Sequence, residues 1–198
     1  MLKKGAETRN KLIQASLKLF QDQGFHRVGL PEIGRKVGIA HASIYAYFRN
    51  KEELMEACAR EVFEQGRQYV DAGYDEYDPA DKKLLGLVRG NLAAAFDPKP
   101  VLVAQVLALH YFGRFNPALH KLLRTTTETT TDRIENQLKQ GVREGLWRVA
   151  DPRAAALAIH SLLLGEMFKA LLGLQEEKPL ACTARVCAMI RQLIGAKP

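Results

Sequence analysis

The sequence predicts an all-α protein of about nine helices. Three observations carry that reading. Apolar residues recur at spacings of three and four along most of the chain, the period of an amphipathic helix. Glycine and proline punctuate the segments, at Gly24, Gly38, Pro98, Pro100, Pro117, Gly145, Pro152 and Pro179. No run of alternating β-branched residues is bounded by hairpin turns.

The first helix is predicted over residues 8–22. Ile13, Leu17 and Phe20 fall on one face, with Leu12 and Leu19 beside them. Gly24 then supplies a helix-ending position. The second helix begins at Pro31, whose fixed φ suits a first helical residue. Ile33 and Val37 form its inner side and Gly38 ends it. The third runs over 41–48, with Ile44 and Phe48 inward. The fourth follows Asn50. Glu53 lies three residues on, a variant of the capping box, and Leu54, Cys58 and Val62 make its stripe. A polar stretch over 71–79 reads as a loop. Further helices are expected over 80–96, 101–112, 117–144, 152–172 and 180–194, with no internal repeat.

Composition fits a globular chain. Of 198 residues, 47% are hydrophobic and 26% charged, enough to bury a core without staples. Cys58, Cys182 and Cys187 have no C-x-x-C spacing, so zinc-ribbon and thioredoxin-type sites are unsupported. The start of the chain turns polar at once and lacks the apolar core of a signal peptide. The longest apolar stretch is broken by His160, Ser161, Glu166 and Lys169, short of a membrane span. These features predict a soluble, cytoplasmic protein with no membrane partner.

The net charge is +7, and its position is more informative than its size. Residues 1–51 hold ten Lys/Arg against three acids, the whole of the excess. The remaining residues sum to zero. Such a segment is the footprint of a polyanion binder. It equally fits a basic face kept for solubility.

Residues 31–48, PEIGRKVGIAHASIYAYF, favour the first reading. Two short helices joined by a turn at Gly38 form the helix-turn-helix pattern, whose second helix enters the major groove of DNA. Gly38 can take the left-handed conformation of the turn without a Cβ clash. The outer side of the third helix carries His41, Ala42, Ser43, Tyr45, Ala46 and Tyr47. These are small or hydrogen-bonding groups, suited to bases and phosphates at close approach. Arg35 and Lys36 lie just before the turn. Ala40 is a poor helix cap, leaving first-turn amides for a phosphate. Lys51 sits in the first turn of the fourth helix, at the unfavourable end of the helix dipole. A DNA phosphate there would reverse the penalty; otherwise Lys51 is a solvent-facing lysine. The candidate DNA-binding residues are therefore Arg35, Lys36, His41, Ala42, Ser43, Tyr45, Tyr47 and Lys51.

With those residues in view, the chain resembles the tetracycline-repressor (TetR) family of bacterial transcriptional regulators. Phe20, Gly24-Phe25, Ile33, Gly38-Ile39, Ile44-Tyr45, Phe48, Lys51 and Leu54 carry the resemblance, over about residues 7–60. It implies an N-terminal three-helix DNA-binding domain, 1–50, and a C-terminal helical ligand-binding and dimerisation domain, 51–198. It implies a homodimer that binds a palindromic double-stranded DNA operator as a repressor and is released by a small-molecule effector. By position, Tyr45, Tyr47 and Lys51 would meet phosphates, and His41, Ala42 and Ser43 the groove. The sequence departs from the family at Val28 (usually threonine), Gly34 (alanine), Ala40 (serine or threonine) and Ala42 (often glycine).

In the body, the segment 152–172 is apolar on nearly all sides, so it must be covered on all sides. One side is expected to pack on its own domain and the other on a second subunit, together with 180–194. Ala158, Ser161 and Gly165 would permit close approach. A largely apolar effector would meet Leu92, Phe96, Val106, His110, Phe112, Trp147 and Phe168, although residues at such spacing are also what a plain core requires. The threonine-rich run 125–131 fits an exposed helix side, a pocket wall or a mobile element. The histidines show no metal spacing, and there is no nucleophile elbow, phosphate-binding loop or dinucleotide fingerprint. No enzyme, metal or cofactor reading has positive support. Two alternatives stay open: a helical carrier or enzyme with an incidental basic head, and a family member that activates or corepresses.

Overall fold

The computed structural model describes residues 2–25, 27–97 and 116–196, with the side chains of Leu2, Lys3, Lys4, His41 and Leu171 outside that description. The described residues form eight helices and no strand. They are α1 (Leu2–Gln23), α2 (Leu30–Val37), α3 (His41–Ile44), α4 (Lys51–Asp71), α5 (Ala80–Phe96), α6 (Pro117–Arg143), α7 (Pro152–Leu171) and α8 (Pro179–Leu193). The helix expected over 101–112 lies outside the described residues. Two boundaries differ from expectation by more than one residue. The first helix starts at Leu2 rather than residue 8, because good helix formers extend it where no apolar period marks it. The third closes after Ile44, and residues 45–47 continue as a turn.

The described residues divide into two compact units, one of 2–63 with 116–120, the other of 64–97 with 121–196. In the first, α1 packs on α2 and α2 on α3. Leu12, Ile33, Ile44, Phe48 and Leu54 are fully buried between them. Gly24 ends α1 at φ 81°, its amide donating to the Phe20 carbonyl at 2.9 Å. Burial pushes the Cys58 thiol up to about 12, so it behaves as a small apolar side chain.

In the second unit α5 is the central helix, packed on both α7 and α8. Leu84, Leu87, Val88 and Leu92 meet Ile134, Leu138, Ile159, Leu163, Val186 and Ile190 in one core. Two glycines of α5 let the end of α4 and the turn after it approach backbone to backbone. A Cβ at Gly86 would stand 2.2 Å from the Gly73 carbonyl oxygen, and one at Gly90 2.6 Å from that of Tyr69. Side chains start the later helices. Asn116 accepts from the amides of Ala118 and Leu119 at α6, and Asp151 accepts from Ala154 at α7.

The all-round apolarity of α7 resolves into two sides. Ala156, Ile159 and Leu163 are buried in the core, while Leu157, Leu164 and Phe168 face outward. Among the described residues, no helix is long and apolar enough to cross a membrane.

Candidate nucleic-acid interface

The turn between α2 and α3 is built by its glycine. Gly38 takes φ 77°, and its amide donates to the Arg35 carbonyl at 3.1 Å while that of Ile39 donates to Gly34 at 3.0 Å. These two bonds are a Schellman motif, which closes the end of α2 and redirects the chain. Ala40, just before α3, is extended and gives no side-chain cap, as its sequence predicts. Ile44 and Phe48 are buried beneath it.

That burial orients the rest. Arg35, Lys36, Ala42, Ser43 and Tyr45 are exposed, and Tyr47 is half-buried. Tyr45 is 47% exposed. His41 begins α3, with its side chain outside the description. Ala42 and Ser43 keep the outer side of the second helix small, with the Tyr45 ring exposed beside them and Arg35 and Lys36 on the preceding helix.

α4 starts on a reciprocal cap. Asn50 accepts from the Glu53 amide at 2.8 Å, and Glu53 accepts from the Arg49 amide at 2.9 Å and its Nε at 3.0 Å. These bonds, the backbone one foremost, hold the Glu53 carboxyl below the usual carboxylate range.

Lys51 has an acceptor within the protein. Its Nζ donates to the Phe25 carbonyl at 2.5 Å and lies 4.1 Å from the centre of the Phe25 ring. The Phe20 ring stands 6.0 Å away, in edge-to-face contact with that of Phe25. Burial pushes the ammonium below the usual lysine range, against the opposing pull of Glu52. Spacing could not reveal this contact, since its partners lie 26 residues apart. The same is true of Arg9, whose guanidinium sits 4.8 Å over the ring of Phe48.

Of the described effector candidates, Leu92, Phe96 and Trp147 share one core and Phe168 does not. Leu92 is wholly buried in the core of the second unit, and Phe96 packs against that core. Trp147 is 4% exposed, its Nε1 donating to the Leu138 carbonyl at 2.8 Å, with its ring 1.9 Å from where a Gly141 Cβ would stand. Phe168 is 47% exposed. Val106, His110 and Phe112 lie outside the described residues. The threonine run is part of α6. Thr125, Thr127 and Thr129 are exposed, and the hydroxyls of Thr126, Thr129 and Thr131 donate back to carbonyls four residues earlier. Thr131 is buried and also bonds His160 Nδ1 at 3.0 Å. No cluster of metal-binding side chains occurs among the described residues.

Residues 12–58 match the family described as bacterial regulatory proteins, tetR family. The HTH-type transcriptional regulator BetI of Cronobacter sakazakii is 30% identical over 196 residues, covering 96% of this chain and 93% of its own. The protein of that name from Escherichia coli is 28% identical over 87% of each chain. Among solved structures, a tetR-family regulator from Rhodococcus superposes with a TM-score of 0.77 at 18% identity, over 96% of this chain and 98% of its own. A transcriptional regulator from Saccharomonospora viridis, crystallised with choline, reaches 0.87 at 18% identity, over 98% of this chain and the whole of its own. At those identities the superpositions speak for the fold. The sequence relationship goes further: this chain belongs to the TetR family and is a transcriptional regulator.

Proposed function

We propose that the protein is a homodimeric repressor that binds a palindromic operator through residues 1–50 and is released when a small effector binds within 51–198. The observation that carries this reading is the exposed, small, polar side of α3, set beside Arg35 and Lys36 in the segment that holds the whole net charge. Arg35, Lys36, His41, Ala42, Ser43, Tyr45 and Tyr47 are the proposed DNA contacts. Lys51, already bonded to Phe25, is proposed to brace that surface from behind.

Dimerisation is proposed through α7 and α8. Leu157, Ala158, Ser161, Leu164, Gly165 and Phe168 form one exposed stripe along α7, and Ala181, Ala184, Ala188, Met189 and Leu193 another along α8. Small residues flanked by large apolar ones suit close helix packing about a twofold axis. Phe168 belongs to that stripe, and Leu92, Phe96 and Trp147, which meet in one core, stay the proposed effector-lining residues of this unit. Because a structural neighbour holds choline, choline is the first effector to try.

A gel shift with the DNA upstream of the protein's own gene tests the reading. The expected result is a retarded complex that weakens steeply with salt and dissociates on addition of effector. No retardation of any duplex at low salt, with a ligand still bound, would instead indicate a helical carrier or enzyme. A promoter assay with and without effector separates repression from activation.

A further inference from the structure

We propose that Arg9, on α1, binds a DNA phosphate at the edge of the recognition surface, held ready for it by the ring of Phe48. The inference rests on the DNA-binding reading above and extends it to a helix outside the helix-turn-helix.

Arg9 is exposed, yet its guanidinium is placed: the central carbon lies 4.8 Å over the Phe48 ring. That ring is fully buried, so the platform is rigid. Phe48 directly follows Tyr47 in the chain, and the Arg9 charge also acts on Glu53, which accepts from the Arg49 amide one residue beyond Phe48. A guanidinium over an aromatic face keeps its N–H groups in its own plane, available to oxygen acceptors. The stack removes in advance much of the side-chain freedom that binding a phosphate would cost.

The neighbouring cations are already engaged. Arg49 is paired with Glu53 at 3.0 Å, and Lys51 is bonded to Phe25. Among the described residues Arg9 makes no hydrogen bond or ion pair, only the ring contact. Its charge does reach Glu53 and favours the ionised carboxylate there. Arg9 and Arg49 thus face a single carboxylate, leaving a surplus positive charge beside the recognition surface. The full set of unspent donors is what a phosphate would use.

The test is anisotropy with the full-length protein, its own upstream duplex and a scrambled duplex of equal length, across a salt series. Arg9→Ala is expected to weaken both complexes by about 5–10-fold near 0.1 M salt and to make the slope of log K against log salt shallower by about one. Arg9→Lys keeps the charge and should keep the slope, while binding about 2–3-fold weaker because an ammonium does not stack as a plane. Two outcomes overturn the proposal. One is Arg9→Ala with wild-type affinity and slope. The other is weaker binding at an unchanged slope with a lower melting temperature, which would make the stack a support for the fold. Failure of the wild type to bind either duplex would instead sink the DNA-binding reading itself.

Discussion

The ammonium of Lys51, at the first residue of α4, donates to the carbonyl of Phe25, just beyond the end of α1, at 2.5 Å. This bond ties the N-terminus of one helix to the C-terminal turn of another. It also gives the cation a negative partner within the fold, so the unfavourable helix-dipole position needs no phosphate to explain it.

Lys51→Met should therefore act on the head before it acts on DNA. Loss of a charge-assisted hydrogen bond costs about 1.5–3 kcal/mol, and the melting temperature should fall accordingly. Duplex binding should weaken while the salt slope stays as in the wild type. A slope shallower by about one would return Lys51 to the set of phosphate contacts.

Gly34 offers a change in the opposite direction. It is buried within α2, where glycine is a poor helix residue. A Cβ there would meet Ile39 O at 3.6 Å, Ile39 Cγ1 at 3.7 Å and Ile44 Cβ at 3.9 Å, all ordinary contacts. Gly34→Ala is therefore expected to stabilise the head by about 0.5–1 kcal/mol. Amide exchange in α2 should slow, with operator affinity equal or higher. Faster exchange would mean that the Ile39–Ile44 side cannot accept the methyl group.

What periodicity encodes was legible and what distance encodes was not. The stripe Ile13, Leu17 and Phe20 marked α1, Gly38 marked the turn, and Asn50 with Glu53 marked the start of α4, because each signal acts within a few residues. The near-uniform apolarity of 152–172 was legible too, and the structure resolves it into one buried and one exposed side. Lys51 on Phe25, Arg9 on Phe48, and Gly86 on Gly73 could not be read, since each joins segments whose mutual placement is set by the core. Helix ends without apolar period were also missed, as at Leu2. Trp147 shows the remaining ambiguity: a buried aromatic reads the same whether it lines a cavity or fills one.

Glu166 links stability to pH. It is 2% exposed on α7. Burial disfavours its charge, but hydrogen bonds from Arg185 at 3.1 Å, Lys169 at 3.2 Å and Cys182 at 3.4 Å outweigh that and hold its pKa below the usual value. A carboxyl depressed in the fold adds stability above its unfolded pKa, about 4.3, and loses it as pH falls through the folded value. Glu166→Gln should therefore be less stable near pH 7 by about 1–3 kcal/mol. The gap from wild type should narrow as the pH drops below about 4. Urea melts across that range measure it, and a gap that stays constant with pH would remove Glu166 from the acid response.

The outward side of α7 gives the last prediction. Phe168 is 47% exposed and Gly165 has open space where a Cβ would stand, so neither is needed to fill the core of its own chain. A twofold partner laid along this stripe would bury Leu157, Leu164 and Phe168 together with Met189 and Leu193 of α8. Phe168→Glu places a charge at the centre of that contact, and because the side chain is already solvated in the single chain, folding should be untouched. Sedimentation should give twice the chain mass for the wild type and the chain mass for the variant, with equal helical circular dichroism. Operator affinity should drop with it, because two heads no longer bind as a unit. Leu164→Glu repeats the test one helical turn earlier. A wild type that sediments as a single chain at micromolar concentration, or two variants that remain paired, would place the subunit contact elsewhere.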